Sequence, residues 1–315
     1  MARDITKTAA RHPWTLLVLL MLSSLSHGEA PPPQDDNDGD TLVLWARNYE
    51  SPTIRALVQL ALDKTPEYPA RRLVASEPMP QGRALRELAA NNDQAVAIAN
   101  VASSPEREEF LLPIAIPFDR GLLGLRICLI RSGDQERFSG ISGAVDFRQR
   151  GLLIGQGSHW PDRFILQANG FDVTNTPRFE SLFPMLRRSR FDCFLRGAGE
   201  IASDLETYGD DGIEIEQELL FVYDMPSYLF VAPDNVALAQ RIELGLRRAI
   251  EDSSFDAYYE RYFQRAIDEL DLDNRRMIVL LNPYLASDDR AMELPVMPLR
   301  PLSPETLKPF PADMR

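Results

Sequence analysis

Short, continuous apolar runs alternate with amphipathic stretches along this chain, in two successive series. That alternation constrains the fold more than any other feature. The first series opens at residues 41–46, TLVLWA, a run suited to a strand buried on both faces. The polar loop RNYES follows, and Ser51-Pro52 opens a predicted helix whose Ile54, Leu57, Val58, Ala61 and Leu62 share one face. RRLVAS, AVAIAN, LLPIAIPF and LLGLRICLIR continue as extended segments, with GRALRELAAN as a helix between the first two. After Ser132-Gly133-Asp134 the cycle restarts with GLLIGQG, FDVTNT and FDCFLRG as strands. Helices at SHWPDRFILQANG, FESLFPMLRRS and GEIASDLETY separate and follow them, and Pro184 is placed to bend or shorten the second. IEIEQELLFV and SYLFVAP are extended, and the chain is helical from Asn235. Strand–helix alternation predicts mostly parallel sheets flanked by helices, with ligands outside the carboxyl ends of the strands.

The ends of the chain belong to neither series. Arg3, Lys7 and Arg11 precede the apolar run TLLVLLMLSSL, and small residues stand at Ser26 and Gly28. This is the layout of a secretory signal peptide over 1–28, too short in its apolar part for a comfortable membrane span. Residues 29–40 read as a flexible Pro-rich and acidic leader, and 286–315 as a Pro-rich tail without period. Between them, residues 41–131 with 226–285 are expected to form one lobe and 132–225 a second, and the expected location is the periplasm.

A formal net charge of −13 argues against nucleic acid or an anionic membrane surface as partner. It also makes an arginine in a predicted loop more informative. Removal of 1–28 leaves His159 as the last histidine, and no metal-ligand spacing, Gly-rich phosphate motif or nucleophile elbow is present. No cofactor, no metal and no catalytic residue is expected, and the chain is read as a binding protein, not an enzyme. Cys128 and Cys193 lie in apolar segments; export permits a disulfide, but two small buried hydrophobes on separate strands is the preferred reading.

The segment AVAIANVASSPEREEFLLPIAIPF, followed by LGLRICLIR, resembles the polar amino-acid-binding branch of the bacterial periplasmic solute-binding proteins. The later order GLLIGQGSHW, helix, strand, helix, RFDCFLRG is similar to the second lobe of that fold. The resemblance covers roughly 41–270. It implies a two-lobed type II periplasmic binding protein fold, α/β, with a central sheet and flanking helices in each lobe and hinge strands between them, Gly124 to Ile130 being one crosspiece. It also implies a small-molecule ligand in the interlobe cleft, a membrane permease of the ABC type or a sensor as partner, and a monomer.

The same resemblance nominates site residues. Arg107, in the turn Ser104-Pro105-Glu106-Arg107, matches the arginine that binds a ligand carboxylate; a surface arginine paired with Glu106 or Glu109 is the alternative. Ser104, which opens that turn, and Asn100 before it are further candidates. Ser158 either holds the other side of a carboxylate or caps a helix, and Trp160 either stacks on a ligand or packs in its lobe. Tyr49, at the first strand exit, is the candidate aromatic platform. Ala102 stands where a Ser or Thr is usual, and Arg196-Gly197 where an acidic residue commonly pairs with a ligand ammonium. These departures suggest a small anionic solute carrying more than one anionic group, with Arg107 and Arg196 facing each other across the cleft. Glu200 either supplies the missing acid or pairs with Arg196. A sensor or envelope binding module without transport is the second reading, and a hydrolase on a bilobal scaffold the third.

Overall fold

The structure, a computed structural model, describes residues 41–209 and 211–284. The expected signal peptide, leader and tail lie outside these residues. Among the described residues no helix is long and apolar enough to cross a membrane.

The first lobe is built on five strands. β1 (Thr41–Leu44) and β2 (Arg72–Ala75) pair in parallel, and Leu44 bridges to Ile98 just before β3 (Ala99–Ala102). β3 and β4 (Leu112–Ile114) both run antiparallel to a late strand, Ser227–Val231. The predicted helix forms as Pro52–Asp63: the Ser51 hydroxyl accepts from the Ile54 N–H at 3.4 Å, and Pro52 starts the first turn. Its buried residues are the five expected, and Ile54, Leu57, Val58 and Leu62 each stabilise by about 1.5–3 kcal/mol relative to exposure. They pack against the helix Val236–Glu251, where a Cβ on Gly245 would lie 2.0 Å from the Ala61 carbonyl oxygen. Only glycine permits that approach.

The larger sheet forms the second lobe. It contains β5 (Leu125–Arg131), β6 (Ile154–Gly157), β7 (Val173–Thr176), β8 (Cys193–Gly197), β9 (Ile213–Ile215), β10 (Leu219–Val222) and, after β11 (Ser227–Val231) in the first lobe, β12 (Arg276–Val279). The order is β12-β10-β5-β8-β6-β7, with β9 also paired to β5. The helix expected at FESLFPMLRRS is Leu182–Arg187, with Pro184 in its first turn, where proline is tolerated.

Three expectations change. The sheets are mixed, not mostly parallel: β5 is antiparallel to β8, β9 and β10, and β11 to β3 and β4, because the chain crosses between lobes on β5 and returns along β10 and β11. β12, assigned with 226–285 to the first lobe, instead adds in parallel to β10 of the larger sheet. Cys128 and Cys193 are not separate buried thiols but a disulfide, S–S 2.01 Å. The antiparallel register sets Cys128 opposite Leu195, one diagonal step from Cys193, with a Cα separation of 5.0 Å.

The bridge closes a loop of 65 residues. A Cys128→Ala, Cys193→Ala variant is expected to lose about 4 kcal/mol of unfolding free energy by the loop-entropy relation. Urea titration of the two proteins measures the difference, and equal midpoints would contradict the bond.

Candidate functional site

A cavity of about 390 Å³ lies between the lobes. The first lobe contributes Arg47, Asn48, Gln81, Asn100 and Arg107 to its lining; the second contributes Ser158, Trp160, Asp162, Phe179, Arg196 and Glu200, and Arg126 at the crosspiece joins them. A second cavity of about 350 Å³ shares Arg47, Asn48, Asn100, Leu123, Glu200 and Ser227 with the first.

Arg107 sits on the short helix Pro105–Phe110, which starts directly after β3 because Ser104 caps it and Pro105 fits its first turn. The Ser104 hydroxyl accepts from the Arg107 N–H at 3.4 Å, so Ser104 positions the arginine and is not itself in the cavity lining. The Arg107 guanidinium donates to the Ala102 carbonyl, to Gln81 Oε1 at 2.8 Å and to the His159 carbonyl at 2.6 Å. It is 5% exposed, and among the described residues no carboxylate reaches it within ion-pair distance. The alternative pairing with Glu106 or Glu109 is therefore not the one formed. Burial lowers its pKa to about 10, against the raising influence of Asp162 and Glu106. A buried guanidinium held only by neutral acceptors is an arrangement that an incoming anion would stabilise.

Arg196 differs. Its Nε donates to Asp204 Oδ2 at 2.6 Å and its Nη2 lies 2.9 Å from Glu200 Oε2. Burial works against its charge, but Asp204 and Glu200 raise its pKa overall. The expected pair of open arginines facing each other is corrected: Arg196 is neutralised within its own lobe, and Glu200 is its partner. Desolvation would raise the Glu200 carboxyl, yet Arg196, Arg126 and Arg47 hold it below the usual range. Gly197, where an acid was missing, has a role of its own. A Cβ there would lie 3.1 Å from Glu200 Oε2 and 3.4 Å from Arg126 Nη1, so glycine lets these groups converge.

Arg126 escaped the sequence reading, although an arginine inside the apolar strand LGLRICLIR was a visible signal. It is 2% exposed, with Nη2 at 2.6 Å from Asp162 Oδ1 and Nη1 at 3.8 Å from Glu200 Oε2. The Tyr223 hydroxyl donates to the same Asp162 oxygen at 2.6 Å. Burial opposes the Arg126 charge, and Asp162, Tyr223 and Glu200 together raise its pKa overall.

The other candidates divide. Asn100 lines both cavities, donating from Nδ2 to Ser227 Oγ and the Tyr228 carbonyl, each at 2.9 Å. Ser158 lines the first cavity but donates to Asn175 Oδ1 at 2.7 Å. It is not a helix cap: Trp160 occupies the N-cap position of Pro161–Ala168, without a side-chain cap bond. Trp160 lines the cavity and also packs, stacked on Phe194 at 6.2 Å with Arg196 4.9 Å above its ring. Tyr49 is a correction. It lines neither cavity and packs against the main core, because the turn of helix Ala46–Glu50 sends Arg47 and Asn48 into the cleft instead. Gln81, Phe179 and Asp204 were not foreseen, since each acts through a partner on a distant element.

Asp119, in the second cavity, is 5% exposed and accepts from the Gly121 and Leu123 N–H groups at 3.1 and 2.8 Å. Burial pushes its carboxyl up to about 6 despite those bonds. A raised carboxyl contributes stability below the ordinary value of about 3.9, and that contribution is lost as pH rises through about 6. The parent is expected to gain about 2 kcal/mol on Asp119→Asn between about pH 7.5 and about pH 4.5. Urea unfolding of both proteins at the two pH values reads this directly, and a difference independent of pH would contradict it.

No protein-family model matches the sequence, and no curated protein matches it at a significant level. Solved structures do resemble it. An amino acid ABC transporter substrate-binding protein from Streptococcus pneumoniae bound to L-arginine is 11% identical, with a TM-score of 0.54 over 71% of this chain and 93% of its own. The periplasmic domain of BvgS from B. pertussis is 12% identical, TM-score 0.55, over 71% of this chain and 43% of that one. An ancestral amino-acid-binding protein described as a precursor of cyclohexadienyl dehydratase is 12% identical, TM-score 0.54, over 71% and 96%. With these likenesses and its own topology, the chain has the two-lobed α/β fold of the type II periplasmic binding proteins.

Proposed function

We propose that the protein binds a small solute in the interlobe cleft and that Arg107 holds a carboxylate or comparable anionic group of that solute. The observation that carries this reading is the charge balance of the cavity. Arg47, Arg126 and Arg196 each face a carboxylate, whereas Arg107 is buried among carbonyl and amide oxygens. One anionic group is enough to answer it, so a solute with two is not required. An amino acid carries such a group, and the similar S. pneumoniae protein is bound to L-arginine. The role we favour is that of a periplasmic substrate-binding protein delivering its solute to an ABC-type permease, without catalysis. The cavity carboxylates Asp162 and Glu200, engaged by arginines, are poor general bases.

A second reading, an envelope binding module without transport, is favoured by one observation. Arg107 bonds the His159 carbonyl across the cleft, and a Cβ on Gly82 would lie 2.7 Å from His159 Nε2, so the lobes already touch. Co-purification with a permease separates the two readings, and turnover lost in His159→Ala would favour an enzyme over both.

Isothermal titration with a panel of L-amino acids and simple monocarboxylates tests the site. Arg107→Ala is expected to weaken the tightest ligand by about 10- to 150-fold, the equivalent of about 1.5–3 kcal/mol for hydrogen bonds to a charged group. Tight binding unchanged by that substitution would overturn the assignment.

A further inference from the structure

Arg47 leaves the first lobe from the helix Ala46–Glu50, yet its guanidinium rests on the second lobe. Its central carbon is 3.2 Å from the centroid of the Phe179 ring, and Nη2 is 3.4 Å from Asp204 Oδ1. Its charge also acts on the Glu200 carboxylate. A guanidinium over an aromatic face, with carboxylates beside it, is a common mode of cation recognition. Asp204 belongs to the second-lobe helix Ile201–Tyr208, so the contact exists only when the lobes are together. Arg47 also lines both cavities, and therefore stands in the wall that divides them.

We propose that Phe179, Asp204 and Glu200 form a guanidinium subsite on the second lobe, and that Arg47 is its tethered occupant. The cleft then closes on a group of its own chain. This goes beyond the anion site at Arg107 and depends on different residues. A tethered group competes at an effective concentration on the order of millimolar, so free guanidinium compounds are excluded while Arg47 is present. Removing Arg47 both loosens the lobes and vacates a site for a soluble cation.

Agmatine, a guanidinium on an alkyl stem with no carboxylate, is the probe. Arg47→Ala is expected to melt below the parent and to show a larger radius of gyration by small-angle X-ray scattering. Agmatine at about 100 times its Kd should raise the variant's Tm by about 5 °C and restore the smaller radius, while the parent does not move. The double variant Arg47→Ala, Phe179→Ala should show no rescue. Equal shifts in parent and variant, or rescue that survives loss of Phe179, would overturn the proposal. If Arg47→Ala does not fold, Arg47→Gln serves in the same comparison with the same outcomes. Adding Arg107→Ala to Arg47→Ala leaves the agmatine response intact, so the anion reading and this one fail separately.

Discussion

The antiparallel pairing of β5 with β8 is the constraint on which the cleft depends. Arg126 lies opposite Gly197, and Arg196 opposite Ile127, so the two guanidiniums leave the sheet on opposite faces at its cleft end. Arg126 meets Asp162 and Tyr223 on one side, and Arg196 meets Asp204 and the aromatic group of Trp160, Phe179 and Phe194 on the other. Glu200, just past the strand end, reaches both. Such company offsets the burial of the Arg126 and Arg196 charges: removing one partner of a buried pair costs about 3–5 kcal/mol, because the remaining charge is left unanswered. The disulfide between Cys128 and Cys193 ties the same two strands together.

With those charges matched, the cleft has two groups that reach from the first lobe toward the second. Arg107 bonds a backbone carbonyl of the second lobe, and Arg47 lies on Phe179 beside Asp204. Both are arginines on first-lobe helices that follow a strand exit, and neither has a carboxylate partner in its own lobe among the described residues. Gly82 allows His159 to come close at the same rim. The lobes thus meet through guanidinium contacts at two points, one to a backbone carbonyl and one to an aromatic face and a carboxylate. A solute anion would strengthen the first without disturbing the second.

Features set by near neighbours in the chain are legible in the sequence. The buried face of Pro52–Asp63 follows from apolar spacing, and the start of the helix carrying Arg107 from Ser104-Pro105, since both depend on residues within a few positions. Tyr49 was misplaced because a single helical turn at a strand exit decides which of Arg47, Asn48 and Tyr49 faces the cleft. A stretch of five residues carries no periodicity to fix that choice.

The sequence by itself determined the alternation of strands and helices, their buried faces, and an arginine placed at a capped turn beside a cleft. Tertiary structure alone decided that β12 joins the larger sheet, that Cys128 meets Cys193, that Arg196 is already answered by Asp204 and Glu200, and that Arg47 crosses to Phe179. The reason is physical. Periodicity and capping act over a turn or a strand, whereas charge pairing, sulfur pairing and strand neighbours depend on which distant segments share a register, and no local pattern encodes that.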